Sequence, residues 1–166
     1  MTSLVWLAVL AGIVVALLVA WRFLGTSSHL VPADEQIEPD ALASILEQAG
    51  IDLTTTKVPD PEILRPHIRA DDEILGAIEA KHGNKRALLV ALPDRLVLGD
   101  ATLRRMGAEV RSIPFSAVEE FEQSYDMGGE FTIATSSHEF LLTHIPRSKT
   151  RDFAELIRQH LPDDAA

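Results

Sequence analysis

The sequence predicts a mainly β domain closed by a C-terminal helix and preceded by a single membrane-spanning helix. Three observations predict it. Residues Leu4 to Trp21 run for eighteen positions without a charged side chain. From Ile74 onward the chain breaks into short β-type runs separated by turn residues. Finally, Phe153, Leu156, Ile157, His160 and Leu161 fall at i, i+3, i+4, i+7 and i+8, the spacing of one apolar helix face.

The apolar run comes first. A helix from Leu4 to Leu24 is about 31 Å long at ~1.5 Å of rise per residue, close to the hydrocarbon thickness of a bilayer. Trp6 and Trp21 stand near its ends, where amphipathic rings settle among headgroups. A cleaved secretory signal is the alternative, but no Lys or Arg precedes the run, and Arg22-Phe23-Leu24 does not make a small-x-small cleavage site. Residues 1–24 are therefore read as an uncleaved anchor and the protein as a single-pass cell-membrane protein. Arg22 beyond the run favours a cytoplasmic body by the positive-inside rule. The absence of cysteine agrees with a reducing compartment without requiring one. Ala8, Gly12, Ala16 and Ala20 recur every four residues on one face, so a second copy of the helix could pack closely there and form a homodimer.

Residues 25–62 read as an acidic linker. Gly25-Thr26-Ser27-Ser28 is small and polar. Pro39 and Asp40 open a short helix, Leu42, Ile45 and Leu46 give it an apolar face, and Gly50 stops it. Pro59, Pro61 and Pro66 then interrupt any long element. Residues 29–79 hold three basic against twelve acidic side chains, an excess that would hold the folded body away from an anionic bilayer.

Seven strands follow in the domain spanning residues 63–161: 74–80, 86–92, 95–98, 109–113, 118–123, 130–135 and 139–145. His82-Gly83-Asn84, Pro93-Asp94, Met106-Gly107 and Met127-Gly128-Gly129 supply the bends. The closing helix is given Ser148 as its cap and Pro162 as its stop, leaving 162–166 as a disordered tail. A helical apolar stripe after a run of strands implies a helix packed on a β core.

The net charge of −10 excludes nucleic acid as a principal partner, since phosphate binding needs a basic footprint. Yet residues 80–118 hold seven basic against three acidic side chains. No cysteine nucleophile, phosphate-cradling glycine loop, G-x-S-x-G or H-E-x-x-H is present, so no enzyme activity and no cofactor are implied. His138 and His144, six apart on one predicted strand, would share a face but stand about 20 Å apart at ~3.3 Å per residue, too far to share a metal ion. Asp71-Asp72 and Glu119-Glu120 are adjacent and splay apart, which suits solvated charges better than an acid–base pair.

The order Asp72-Glu73-Ile74-Leu75, then Ala87-Leu-Leu-Val-Ala-Leu-Pro-Asp-Arg-Leu-Val-Leu98, then Ile113-Pro-Phe-Ser-x-Val118 before an amphipathic helix resembles the bacterial pleckstrin-homology-like domains of the YokE/GRAM-like type. Leu92 stands where that family usually has Thr, and Phe115 where it has Tyr. The resemblance implies a PH-like, seven-stranded bent sheet or barrel capped by the C-terminal helix. It further implies that the loops after the first and third strands meet at the open end beside Ser136-Ser137-His138. Lys81, Lys85, Arg86, Arg104 and Arg105 would then converge on one basic mouth, chemistry suited to an anionic lipid headgroup. Turn residues are also commonly charged because they are solvated. The expectation is a membrane-anchored, non-catalytic interaction module for a protein partner, with headgroup binding as the alternative.

Overall fold

In the computed structural model, the described residues are 30–54, 59–101, 108–125, 128–163 and 165. The anchor at 1–24, its small-residue face at Ala8, Gly12, Ala16 and Ala20, and the pair Arg104 and Arg105 all lie outside them. Among the described residues, no helix is long and apolar enough to cross a membrane.

The strands are β1 (Gly76–His82), β2 (Lys85–Ala91), β3 (Arg95–Ala101), β4 (Glu109–Pro114), β5 (Val118–Ser124), β6 (Gly129–Thr135) and β7 (Glu139–Ile145). They form one antiparallel sheet of seven in the order β4-β3-β2-β1-β7-β6-β5, curled into a half-barrel that is compatible with a PH-like fold. Hairpin geometry fixes the register. The two-residue turn Gly83-Asn84 sets His82 opposite Lys85 and Gly76 opposite Ala91. Between β4 and β5 the chain makes a 3-10 turn, Phe115–Ala117, so those two strands finish at opposite ends of the sheet order.

Alternation sorts the side chains into two cores. Ile78, Ala80, Leu89, Leu96, Leu98, Ile113, Phe131, Ile133 and Leu142 fill the concave inner face. Ala77, Leu88, Val90 and Val97 point the other way and are buried as well. A strand apolar on both faces must be covered twice, which explains why β2 reads as a near-continuous run, Ala87-Leu-Leu-Val-Ala-Leu92.

The second cover comes from the segment read as a linker. Helix α1 (Pro39–Gln48) buries Leu42 and Leu46, and Ile37, Ile51, Leu64 and Ile68 join them against the outer face. Full burial of each Leu is worth roughly 1.5–3 kcal/mol, so this layer belongs to the folded body. The backbone ties it down as well: Val31 N donates to Pro66 O at 2.7 Å, Ile37 N to Ile68 O at 3.1 Å and Ala70 N to Glu35 O at 2.8 Å. Leu64 reaches β3 at Gly99, where a Cβ would lie 2.6 Å from its Cδ2. The acidic side chains give this segment its linker-like charge, whereas the apolar ones spaced between them are what dock.

Helix α2 (Arg147–Arg158) closes the inner core with Phe153, Ala154 and Ile157. Its cap differs from expectation. Pro146 occupies the N-cap position with φ −57 and no side-chain cap bond, and Ser148 falls inside the first turn. Thr150 turns its hydroxyl back to the carbonyl of Pro146 at 3.0 Å. β7 also departs from regular alternation: its register on β6 shifts between the pairs Gly129↔Ile145 and Phe131↔Leu142, and His144 takes φ 59. This β-bulge breaks the even spacing that would have set His138 and His144 on one face.

Candidate functional site

The inner-face rows turn polar at one end of the half-barrel. On β1 the row Ile78, Ala80 ends in His82; on β3 the row Leu96, Leu98 ends in Asp100; on β2 Lys85 precedes Ala87 and Leu89. Helix α2 is at the other end of β1, where Gly76 packs beneath Phe153 and Leu156. A polar mouth therefore faces away from the helix-capped end.

Asp100 is the centre of this mouth and is only 2% exposed. Its carboxylate accepts from Lys85 Nζ at 3.0 Å and pairs with His82 Nδ1 at 2.8 Å. Lys85 Nζ lies 3.9 Å from Glu109 Oε2, and Glu109 in turn accepts from Arg111 Nε at 3.0 Å. The guanidinium of Arg111 sits 5.4 Å from the Phe140 ring centroid, so β4 reaches β7 across the concavity. Phe140 also meets the rings of His82 and His138, each at 6.0 Å between centroids. The result is a polar ladder, His82–Asp100–Lys85–Glu109–Arg111, in which charge alternates from Asp100 to Arg111 and which ends on an aromatic ring. A carboxylate buried this deeply is tolerated because it is paired and hydrogen-bonded. Since a carboxylate only accepts, the Nδ1 proton of His82 is held on the Asp100 side.

Of the five basic residues expected at a shared mouth, Lys85 occupies the concave face. Lys81 and Arg86 stand opposite each other in register, on the face that carries Ala77 and Leu88. Arg104 and Arg105 belong to the undescribed residues. The acidic members of the ladder and Arg111 escaped the sequence reading. Asp100 carried a usable signal, because it continues the alternation Leu96, Leu98 and so had to face the core side. Among the described residues no three His, Asp or Glu side chains gather as a metal ion would require.

The second feature is the pair of sheet edges. Among the described residues β4 and β5 are terminal in the strand order, and each leaves one side of its backbone without a neighbouring strand. β5 carries exposed Glu119, Glu120 and Glu122, charges that guard an edge against indiscriminate pairing.

No protein-family model matches the chain, and no curated protein is similar to it. Among solved structures, the crystal structure of the C-terminal domain of an unknown protein from Leishmania infantum is similar over 56% of this chain and 88% of that one, at 18% identity and a TM-score of 0.43. That likeness is too distant to add to the fold described above.

Proposed function

We propose that this chain is a non-catalytic interaction module of the bacterial PH-like, YokE/GRAM-like type, held at the membrane by residues 1–24, with its body in the cytoplasm and a protein partner bound along an open sheet edge. The observation that carries this reading is the topology: a curled sheet whose terminal strands β4 and β5 do not pair leaves two backbone edges able to take an extended segment. Main-chain bonds supply affinity in that mode, and alternate side chains supply selectivity.

The alternative, an anionic headgroup held in the mouth, is less well supported. Lys85 already neutralises Asp100 and stands near Glu109, so a phosphate would have to displace carboxylates from the same ammonium group. Arg111 is likewise bonded to Glu109.

Photocrosslinking of the full chain in its membrane tests the reading. A photoreactive side chain at Ser112 on β4 or at Glu122 on β5 should give protein adducts that one at Glu79, on the central strand β1, does not. Adducts to lipid alone at the edge positions would overturn the protein reading in favour of the headgroup one.

A further inference from the structure

At its C-terminal end β5 runs into a groove of about 520 Å³ shared with α2 and lined by Gln123, Tyr125, Arg151, Glu155, Arg158 and Gln159. We infer that this groove receives the acidic end of an extended partner segment whose basic end lies along Glu119, Glu120 and Glu122 of β5. The inference rests on the edge-binding reading above and names the chemistry of the partner.

Two guanidinium groups against one carboxylate make the groove locally cationic in a chain of net charge −10. Arg158 is already positioned for an incoming carboxylate. Its Nη2 donates to Gln123 Oε1 at 3.1 Å, and its guanidinium lies 5.4 Å from the centroid of the Phe121 ring. A guanidinium held this way loses little further freedom on binding and keeps N–H groups for a bidentate carboxylate. Arg151 is exposed and forms no ion pair among the described residues. Arg147 adds a third positive charge one helical turn away, donating to the Tyr125 carbonyl at 3.4 Å. Tyr125, 47% exposed, offers a ring face and a hydroxyl beside them. Nearly half-exposed aromatics with arginine neighbours are the composition of binding anchors.

The same strand supplies the polarity. Glu119, Glu120 and Glu122 are exposed along β5, immediately before the cationic groove. A uniformly acidic segment would be repelled by the strand, and a uniformly basic one by the groove. A segment with opposite charges at its two ends fits both. An anionic bilayer surface fits worse, because a flat negative sheet that reached Arg151 and Arg158 would bring its headgroups against the three glutamates.

The test uses the full chain in neutral phosphatidylcholine nanodiscs at about 0.15 M salt, with binding read by fluorescence anisotropy. The probes are labelled Lys-Lys-Lys-Val-Thr-Val-Thr-Glu-Glu-Glu, the same peptide in reverse order, and an uncharged peptide with Ser in place of every charge. One of the two bipolar peptides should bind at least tenfold more tightly than the uncharged one, and Arg151→Glu should remove that advantage. Because Arg151 is exposed and unpaired, this variant keeps the fold, and circular dichroism checks that it does. Bipolar binding indifferent to Arg151→Glu would overturn the groove assignment and leave edge binding standing. No preference for either bipolar peptide would overturn the inference, with edge binding then judged by the crosslinks alone. Loss of peptide binding when phosphatidylserine is added to the disc would give the groove to the bilayer and overturn it equally.

Discussion

Lys149 Nζ donates to the carbonyl of Gly50 at 2.8 Å and to that of Ala49 at the same distance. These are the carbonyls just past the end of α1, where a helix leaves acceptors without intrahelical partners. A cation from α2 thus caps α1, joining the outer layer to the helix that closes the inner core across some hundred residues of chain. Replacing Lys149 by Met keeps the aliphatic stem and removes the donor. The expected cost is about 1 kcal/mol of stability, with amide exchange quickened first in residues 39–51. Uniform acceleration over the whole sheet would show that the two layers do not part independently.

Gly129 begins β6 directly beneath Thr150. A Cβ there would meet Thr150 Cγ2 at 2.7 Å and Thr150 Cβ at 2.8 Å. Both groups are backbone-proximal, and Thr150 is also bonded to Pro146 O, so α2 must lift to admit a methyl group. Gly129→Ala should destabilise by roughly 1–3 kcal/mol, while Gly129→Ala with Thr150→Ala should recover part of the loss. Denaturant unfolding of the solubilised full chain followed by circular dichroism measures both.

Much of this architecture is legible in the sequence because local rules and tertiary needs agree. Strands β3 to β7 begin within a residue of where alternation and turn chemistry put them, and Pro39 and Gly50 bracket α1. The misreadings have physical causes. Residues 25–62 read as a linker because acidic and proline residues stand out there, yet burial is decided by Ile37, Leu42, Leu46 and Ile51, which join Leu64 and Ile68 against strands far away in sequence. The β7 bulge at His144 depends on pairing with β6, which no single strand encodes. The ladder was missed for a different reason. Charge along the loops does not reveal it, because period-two alternation sends Lys85 to the concave face and Arg86 to the other.

His67 is buried in the outer layer, its Nδ1 has no hydrogen-bond partner among the described residues, and its backbone carbonyl accepts from Arg95 Nη2 at 3.3 Å. Burial lowers its pKa below the ordinary 6.5, and the nearby Arg95 charge lowers it further. The sign follows from linkage. Below pH 6.5 the unfolded chain takes up a proton that the folded chain refuses, so this contribution to stability is complete above pH 6.5 and is lost as pH falls towards the lowered value. His67→Phe removes the titration while keeping a ring. Relative to that variant, the wild type should lose stability on acidification at a slope approaching about 1.4 kcal/mol per pH unit. Parallel pH profiles for the two proteins would show that His67 is protonated in the folded state.

The buried Asp100 makes the most discriminating prediction, because removing one partner and removing both have opposite consequences. Lys85→Met withdraws the ammonium group and leaves a carboxylate 2% exposed with His82 as its remaining donor, a loss of about 2 kcal/mol. Asp100→Leu fills the same inner-face row with an apolar side chain but strands Lys85 beside Glu109 alone. The double variant Lys85→Met/Asp100→Leu replaces the pair by two apolar groups continuing the rows of Leu89 and Leu98. It should therefore be more stable than Lys85→Met alone, with a coupling of at least ~1 kcal/mol between the two sites. Urea unfolding of the four proteins closes this cycle. Additive losses would mean that Asp100 is held by His82 without help from Lys85, and would free the ammonium group for a ligand in the mouth.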